Sequence, residues 1–404
     1  ILFCCLFMAV YAVVSHLKIL RLFLRIVGVV TQLLISILTY RTFRKFVTEN
    51  TAFVIAVFYY NIIPKNSTVP DFSNMLLWFS TLVFLSFLEF SLNRGTSARR
   101  PAFFLIAAGV STSLLVLSYP TCIFVVLPGC IGIWLLSAAG NRLKNLLIYL
   151  GTCGVCGLGW LAYFLCHMSF RQFLDGLSEM LTDGSHDVGL LGKLKDNLSC
   201  LGETFPYLLV ALVIALVFWC FFRFICRKNY RFFLLLIIFL ILEQLFVWYR
   251  LQKHIEYPGF VYLLFPLWGI YCYFRRKKSS GKLAPVYKAL FWFGSITSLF
   301  LLLAAFTASN TMLYESADYM AIGMLVSLCY AERETSESPV FWKSFVLLFV
   351  GLGIYVAFQP GAVDGYHYIF RVDGKALGDP KTWIFALGQA FFSLSVAGNG
   401  TLIY

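Results

Sequence analysis

Apolar runs follow one another along nearly the whole chain, separated by short polar segments. A helical run of about 17–25 residues is long enough to cross about 30 Å of hydrocarbon. Such spans are predicted near residues 1–16, 22–42, 50–64, 73–92, 102–118, 122–139, 145–167, 205–224, 231–249, 257–274, 286–308, 312–330, 340–358 and 382–404. The stretch at 50–64 is short and fits a re-entrant segment. Long unbroken runs select helices over a barrel, whose strands would alternate over about ten residues. The expected fold class is therefore all-α: a multi-pass transmembrane helical bundle of about 12–14 spans. Composition agrees, with 60% hydrophobic and 13% charged residues, against about 45–50% and about 25% in ordinary soluble domains. The chain starts at Ile1 without an initiator Met and stops at Tyr404 inside an apolar run, which reads as truncation at both ends.

The net charge of +13 acquires meaning from position. Five loops carry Arg41/Arg44/Lys45, Arg94/Arg99/Arg100, Arg142/Lys144, Arg223/Arg227/Lys228/Arg231 and Arg275/Arg276/Lys277/Lys278/Lys282. The loops lying between these five hold only Lys65, Arg171, Lys193, Lys195, Arg250 and Lys253. The first set is expected to face the cytoplasm of a plasma or inner membrane. This accounts for much of the basic excess without nucleic acid, and makes the lipid bilayer the first partner. The polar segment 168–204 then lies outside, with apolar residues at helical spacing from Phe170 to Leu177, as in an interfacial amphipathic helix.

The sharpest pattern lies near the end. Gln359-Pro360-Gly361-Ala362-Val363-Asp364-Gly365 is followed by Asp379-Pro380-Lys381-Thr382-Trp383 and then by Gly388-Gln389-Ala390-Phe391-Phe392-Ser393-Leu394-Ser395-Val396-Ala397-Gly398-Asn399-Gly400. Small residues around Gly398 and Gly400 let a membrane helix unwind and free backbone groups for a polar site at membrane depth. These motifs resemble helices 5 and 6 of the neurotransmitter:sodium symporters, the bacterial sodium-dependent amino-acid transporters among them. The resemblance covers about 65 of 404 residues. It divides the chain into a polytopic region 1–330 and a symporter-like helix pair 331–404 with an outer loop at 359–381.

The resemblance implies sodium-coupled symport of a small, amino acid-like solute, with the sodium ion as coupling ion and no organic cofactor. By position, Ser393 would face sodium, Phe392 would cover the substrate, Ser395, Val396 and Ala397 would form the unwound segment, and Gln389 would lie near the outer gate. Ala397 stands where many relatives have Gly. No stretch of residues 1–330 shows the family's Gly-x-x-Trp-Arg-Phe-Pro helix start, so the site is expected to be incomplete in this chain.

Residues 1–330 carry a different alternative. Arg250, Lys253 and His254, with His186 and Asp187 of the long outer loop, combine cations with an acid at the outer surface. Such a group could hold the phosphate of a polyprenyl-phosphate sugar while a carboxylate acts as base. That arrangement loosely resembles the C-type membrane glycosyltransferases, for which Asp71 is the early outer acid. Interfacial anchoring explains the same basic residues, and a solvated turn explains His186-Asp187. A third reading is a composite chain without complete activity. Glu89 is expected within a span and paired with Arg94; Glu243, beside Gln244, is expected deeper. Cys153-x-x-Cys156 has metal-like spacing, but Gly151, Gly154, Gly157 and Gly159 favour close helix packing.

Overall fold

The computed structural model describes residues 17–60, 62, 69–94, 99–181, 264–280, 284–307, 319 and 321–335, with isolated positions between 191 and 199. These residues form helices, with no strand among them. They are α1 (Leu17–Phe43), α2 (Glu49–Tyr60), α3 (Phe72–Leu92), α4 (Arg99–Ser118), α5 (Val126–Leu136), α6 (Arg142–His167), α7 (Phe170–Leu181), α8 (Leu264–Ser280), α9 (Pro285–Ala289), α10 (Thr297–Thr307) and α11 (Ala321–Thr335). Five stretches are long and apolar enough to cross a membrane: Phe23–Phe43, Phe72–Leu92, Arg99–Ser118, Ala139–His167 and Pro285–Ala304. The chain is an all-α, multi-pass membrane protein. The expected spans at 1–16, 205–224, 231–249, 340–358 and 382–404 lie outside the described residues, as does the proposed helix pair beyond residue 335.

α3 is the central helix. Asp71 starts it, its carboxylate accepting from the Asn74 amide at 2.8 Å, while Asn74 Nδ2 donates to the Val69 carbonyl at 3.0 Å. From there Leu76, Leu77, Trp78, Phe84, Phe87, Leu88 and Phe90 are all buried. Outward faces elsewhere are apolar: Leu34, Leu38, Phe103, Leu143, Leu147 and Val155 are exposed. Lipid is as apolar as leucine, so close packing and interhelical hydrogen bonds must hold the helices together. Two contacts show how. A Cβ on Gly132 would lie 2.3 Å from the Phe293 ring, which itself stacks on Phe87 at 4.3 Å. A Cβ on Gly109 would lie 2.8 Å from the Thr152 side chain. Absence of a side chain therefore sets the approach of α5 to the segment carrying Phe293, and of α4 to α6.

Pro120 and Pro128 reshape the span expected at 122–139. The chain runs as a 3-10 turn over Pro120–Val125 and becomes α-helical only at Val126. Pro128 thereby falls in the first turn of α5, where its missing N–H leaves no helical bond unmade. Between α9 and α10 the backbone widens into a π-helical turn, Leu290–Ile296, and Thr297 Oγ1 donates to the Trp292 carbonyl at 3.1 Å.

Ring and polar contacts give the bundle two distinct ends. At one, Tyr119 lies 6.0 Å from both Phe72 and Tyr319. At the other, Lys45 binds Glu89, Ser91 Oγ lies 3.5 Å from the Pro285 carbonyl, and Arg276 donates to Tyr287 at 2.5 Å. Arg44, Lys45, Arg99, Arg100 and Arg276 thus belong to one basic end, which matches the alternation of loop charges in the sequence.

Candidate functional site

The short helix α2 takes part in a buried node of neutral hydrogen bonds. It follows a turn after α1 and ends at Tyr60, so its twelve residues rise only about 18 Å at about 1.5 Å each. Its last carbonyls therefore stop short of a full crossing and need donors. Gln32 of α1, 3% exposed, supplies them. Its Nε2 donates to the carbonyls of Tyr59 at 2.9 Å and Ile62 at 3.1 Å, while its Oε1 accepts from Trp78 Nε1 at 2.5 Å. One turn further along α1, Ser36 Oγ donates to the Ala56 carbonyl at 2.7 Å. Every polar group of Gln32 is engaged, so this node joins α1, α2 and α3 and leaves no open ligand position.

Glu89 lies at the basic end and is 8% exposed. The sequence pairs it with Arg94; the structure instead gives it Lys45, from the turn after α1. Thr42 Oγ1 donates to its Oε1 at 3.0 Å, and Asn93 Nδ2 to its Oε2 at 3.0 Å. A charged residue within a span costs about 2.5–3.5 kcal/mol on insertion scales. Lys45 and the two neutral donors offset that cost, and Arg94 forms no ion pair with it. An open recess of about 360 Å3 adjoins this group, with Lys45, Glu89 and Asn93 on one side and Arg99, Arg100, Phe103 and Phe104 on the other.

Asp71, the early outer acid of the enzyme reading, is the N-cap of α3. Cys153 and Cys156 are half-buried free thiols of α6, and no group of three or more His, Cys, Asp or Glu that could hold a metal ion occurs among the described residues. Gly151, Gly154, Gly157 and Gly159 meet no neighbour among the described residues, so the close packing expected of them is not found there. His167 Nδ1 lies 2.8 Å from the Tyr163 carbonyl within its own helix. The amphipathic helix expected after it is present as α7. Ser169 and Gln172 form a reciprocal cap, the Ser169 amide donating to Gln172 Oε1 at 2.8 Å and the Gln172 amide to Ser169 Oγ at 3.3 Å.

The symporter-like residues Gln389, Phe392, Ser393, Ser395, Val396 and Ala397 all lie outside the described residues. So do His186, Asp187, Arg250, Lys253 and His254 of the enzyme reading, and Glu243. What the structure brings together is a different set: Gln32 with Trp78, and Lys45 with Glu89. Neither pair was visible from spacing, because each joins residues more than 40 positions apart.

No protein-family model matches the chain, and no solved structure matches it. It is similar to the sodium-dependent neutral amino acid transporter B(0)AT3 of Mus musculus, at 32% identity over 82 residues. That match covers 20% of this chain and 13% of the mouse protein, so the chain spans about an eighth of the length of the curated relative it matches.

Proposed function

We propose that this multi-pass membrane protein takes part in sodium-coupled symport of a small, amino acid-like solute across the plasma or inner membrane. The observation that carries the reading is the 82-residue similarity to a sodium-dependent neutral amino acid transporter. The Gln389-to-Gly400 pattern supports it with the small residues that a broken membrane helix needs. Ser393 supplies a hydroxyl to the sodium ion, Phe392 closes over the solute, and the backbone of Ser395, Val396 and Ala397 binds the solute's polar groups. Sodium bound there favours the solute-loaded, outward-open state, and rocking of the helices releases both on the other side. The site needs a facing helix to complete the ion shell, and residues 1–330 lack the family's motif for it.

The test is uptake of neutral amino acids into proteoliposomes holding the purified chain. Uptake that requires sodium and stops in choline supports symport. Uptake unchanged in choline overturns it. Transfer from a polyprenyl-phosphate sugar, reduced by Arg250→Ala or His254→Ala, would instead establish the enzyme reading.

A further inference from the structure

The recess at the basic end of the bundle has a chemistry that neither the symport reading nor the bundle's packing uses. Its one acid is already occupied, since Glu89 is held by Lys45, Thr42 and Asn93. Arg99 and Arg100 face it from the first turn of α4, are exposed, and form no ion pair among the described residues. With Lys45 they outweigh the single carboxylate by two positive charges. That first turn contains no acidic residue, so the positive end of the helix dipole adds to the same field.

Phe103 and Phe104 give the recess its second character. Each follows an arginine by four residues, so each ring lies one helical turn deeper along the same face of α4. Phe103 is 64% exposed and meets Phe104 edge to face at 5.5 Å. Ile106 and Val110 continue the exposed apolar stripe along the helix. The order along α4 is therefore cation, aromatic ring, aliphatic surface, which is the order of headgroup, glycerol and acyl chain in a phospholipid. A soluble phosphate would match only the first of these.

We infer that the recess between the end of α1, α3 and α4 binds the phosphate headgroup of an anionic membrane lipid, with Arg99 and Arg100 on the phosphate and an acyl chain along Phe103. Its volume of about 360 Å3 suits a headgroup. Basic recesses between membrane helices recognise anionic lipids in this way, at a strength that corresponds to about fivefold in affinity per arginine or lysine near the surface.

Native mass spectrometry of the full chain in a neutral detergent, titrated with dioctanoyl phosphatidylglycerol, tests the site. Tighter binding of this lipid than of dioctanoyl phosphatidylcholine is expected. Arg99→Gln with Arg100→Gln should weaken it about 25-fold, whereas Arg99→Lys with Arg100→Lys should retain most of it. Phe103→Ser should weaken the lipid while leaving inorganic phosphate as weak as before. Equal binding of the two lipids would overturn the proposal, as would an unchanged affinity in the double Gln variant with its helix content intact. Full competition by inorganic phosphate would overturn the lipid assignment.

Discussion

Trp78 Nε1 donates to Gln32 Oε1 at 2.5 Å, and through this contact the N-terminal half of α3 is joined to the middle of α1. The same glutamine caps α2 through the Tyr59 and Ile62 carbonyls. A helix that ends at membrane depth is thereby tolerated, because its last carbonyls find a donor within the protein and not in water.

Gln32→Leu removes both functions and leaves Trp78 Nε1 and two carbonyls without this partner. Interhelical hydrogen bonds in membranes average about 0.6 kcal/mol with a maximum near 1.7, so three lost together should destabilise by about 1–3 kcal/mol. Unfolding in mixed detergent and sodium dodecyl sulfate measures this. A cycle with Trp78→Phe should show coupling of about 1 kcal/mol; independent effects would mean that the bond contributes nothing.

Glu89 provides a test of which cation matters. Lys45→Met should cost about 0.5–1 kcal/mol, the small value reflecting a lysine that is nearly half exposed. Arg94→Gln should leave stability unchanged within about 0.5 kcal/mol. The opposite ranking in the same unfolding assay would restore the pairing expected from the sequence.

Gly132 and Gly154 should respond in opposite ways to alanine. At Gly132 the new methyl meets the Phe293 ring, and overpacking of this kind costs about 1–3 kcal/mol. Gly154 has open space around it among the described residues, so Gly154→Ala should be neutral or stabilise by up to about 1 kcal/mol through helix propensity. Thermal unfolding of the two variants decides, and a destabilised Gly154→Ala would reveal a packed neighbour.

Under the symport reading, Ser393→Ala removes a sodium ligand. The sodium concentration for half-maximal uptake should rise about tenfold, corresponding to about 1.4 kcal/mol, while solute affinity at saturating sodium changes little. Phe392→Ala should instead raise the solute concentration for half-maximal uptake. Sodium dependence unchanged by Ser393→Ala would remove this serine from the ion site.

The membrane fold was legible in the sequence because its cause is local. A backbone in lipid must satisfy its own hydrogen bonds, so an apolar run of sufficient length is a helix whatever surrounds it. The spans expected near 22–42, 73–92, 102–118, 145–167 and 286–308 therefore coincide with membrane-length helices. The reciprocal Ser169–Gln172 cap is local too, three residues apart in the chain. Likewise the charge of successive loops follows from their order alone, and the basic end of the bundle agrees with it.

Partners distant in sequence were another matter. Arg94 is the cation nearest Glu89 along the chain, yet Lys45, 44 positions away, holds it because the packing of α1 against α3 places Lys45 beside the carboxylate. Gln32 could not be matched with Trp78, nor Arg99 and Arg100 with the recess they line, before helix neighbours were known. Glycines show the limit most plainly: Gly132 and Gly154 both lie in apolar helices, but among the described residues only the first faces a ring that would collide with a side chain. By itself the sequence determined the solvent, the helices and their alternation, along with the symporter-like pattern near its end. Tertiary structure decided which buried polar groups meet, because those contacts depend on interhelical packing that no single span encodes.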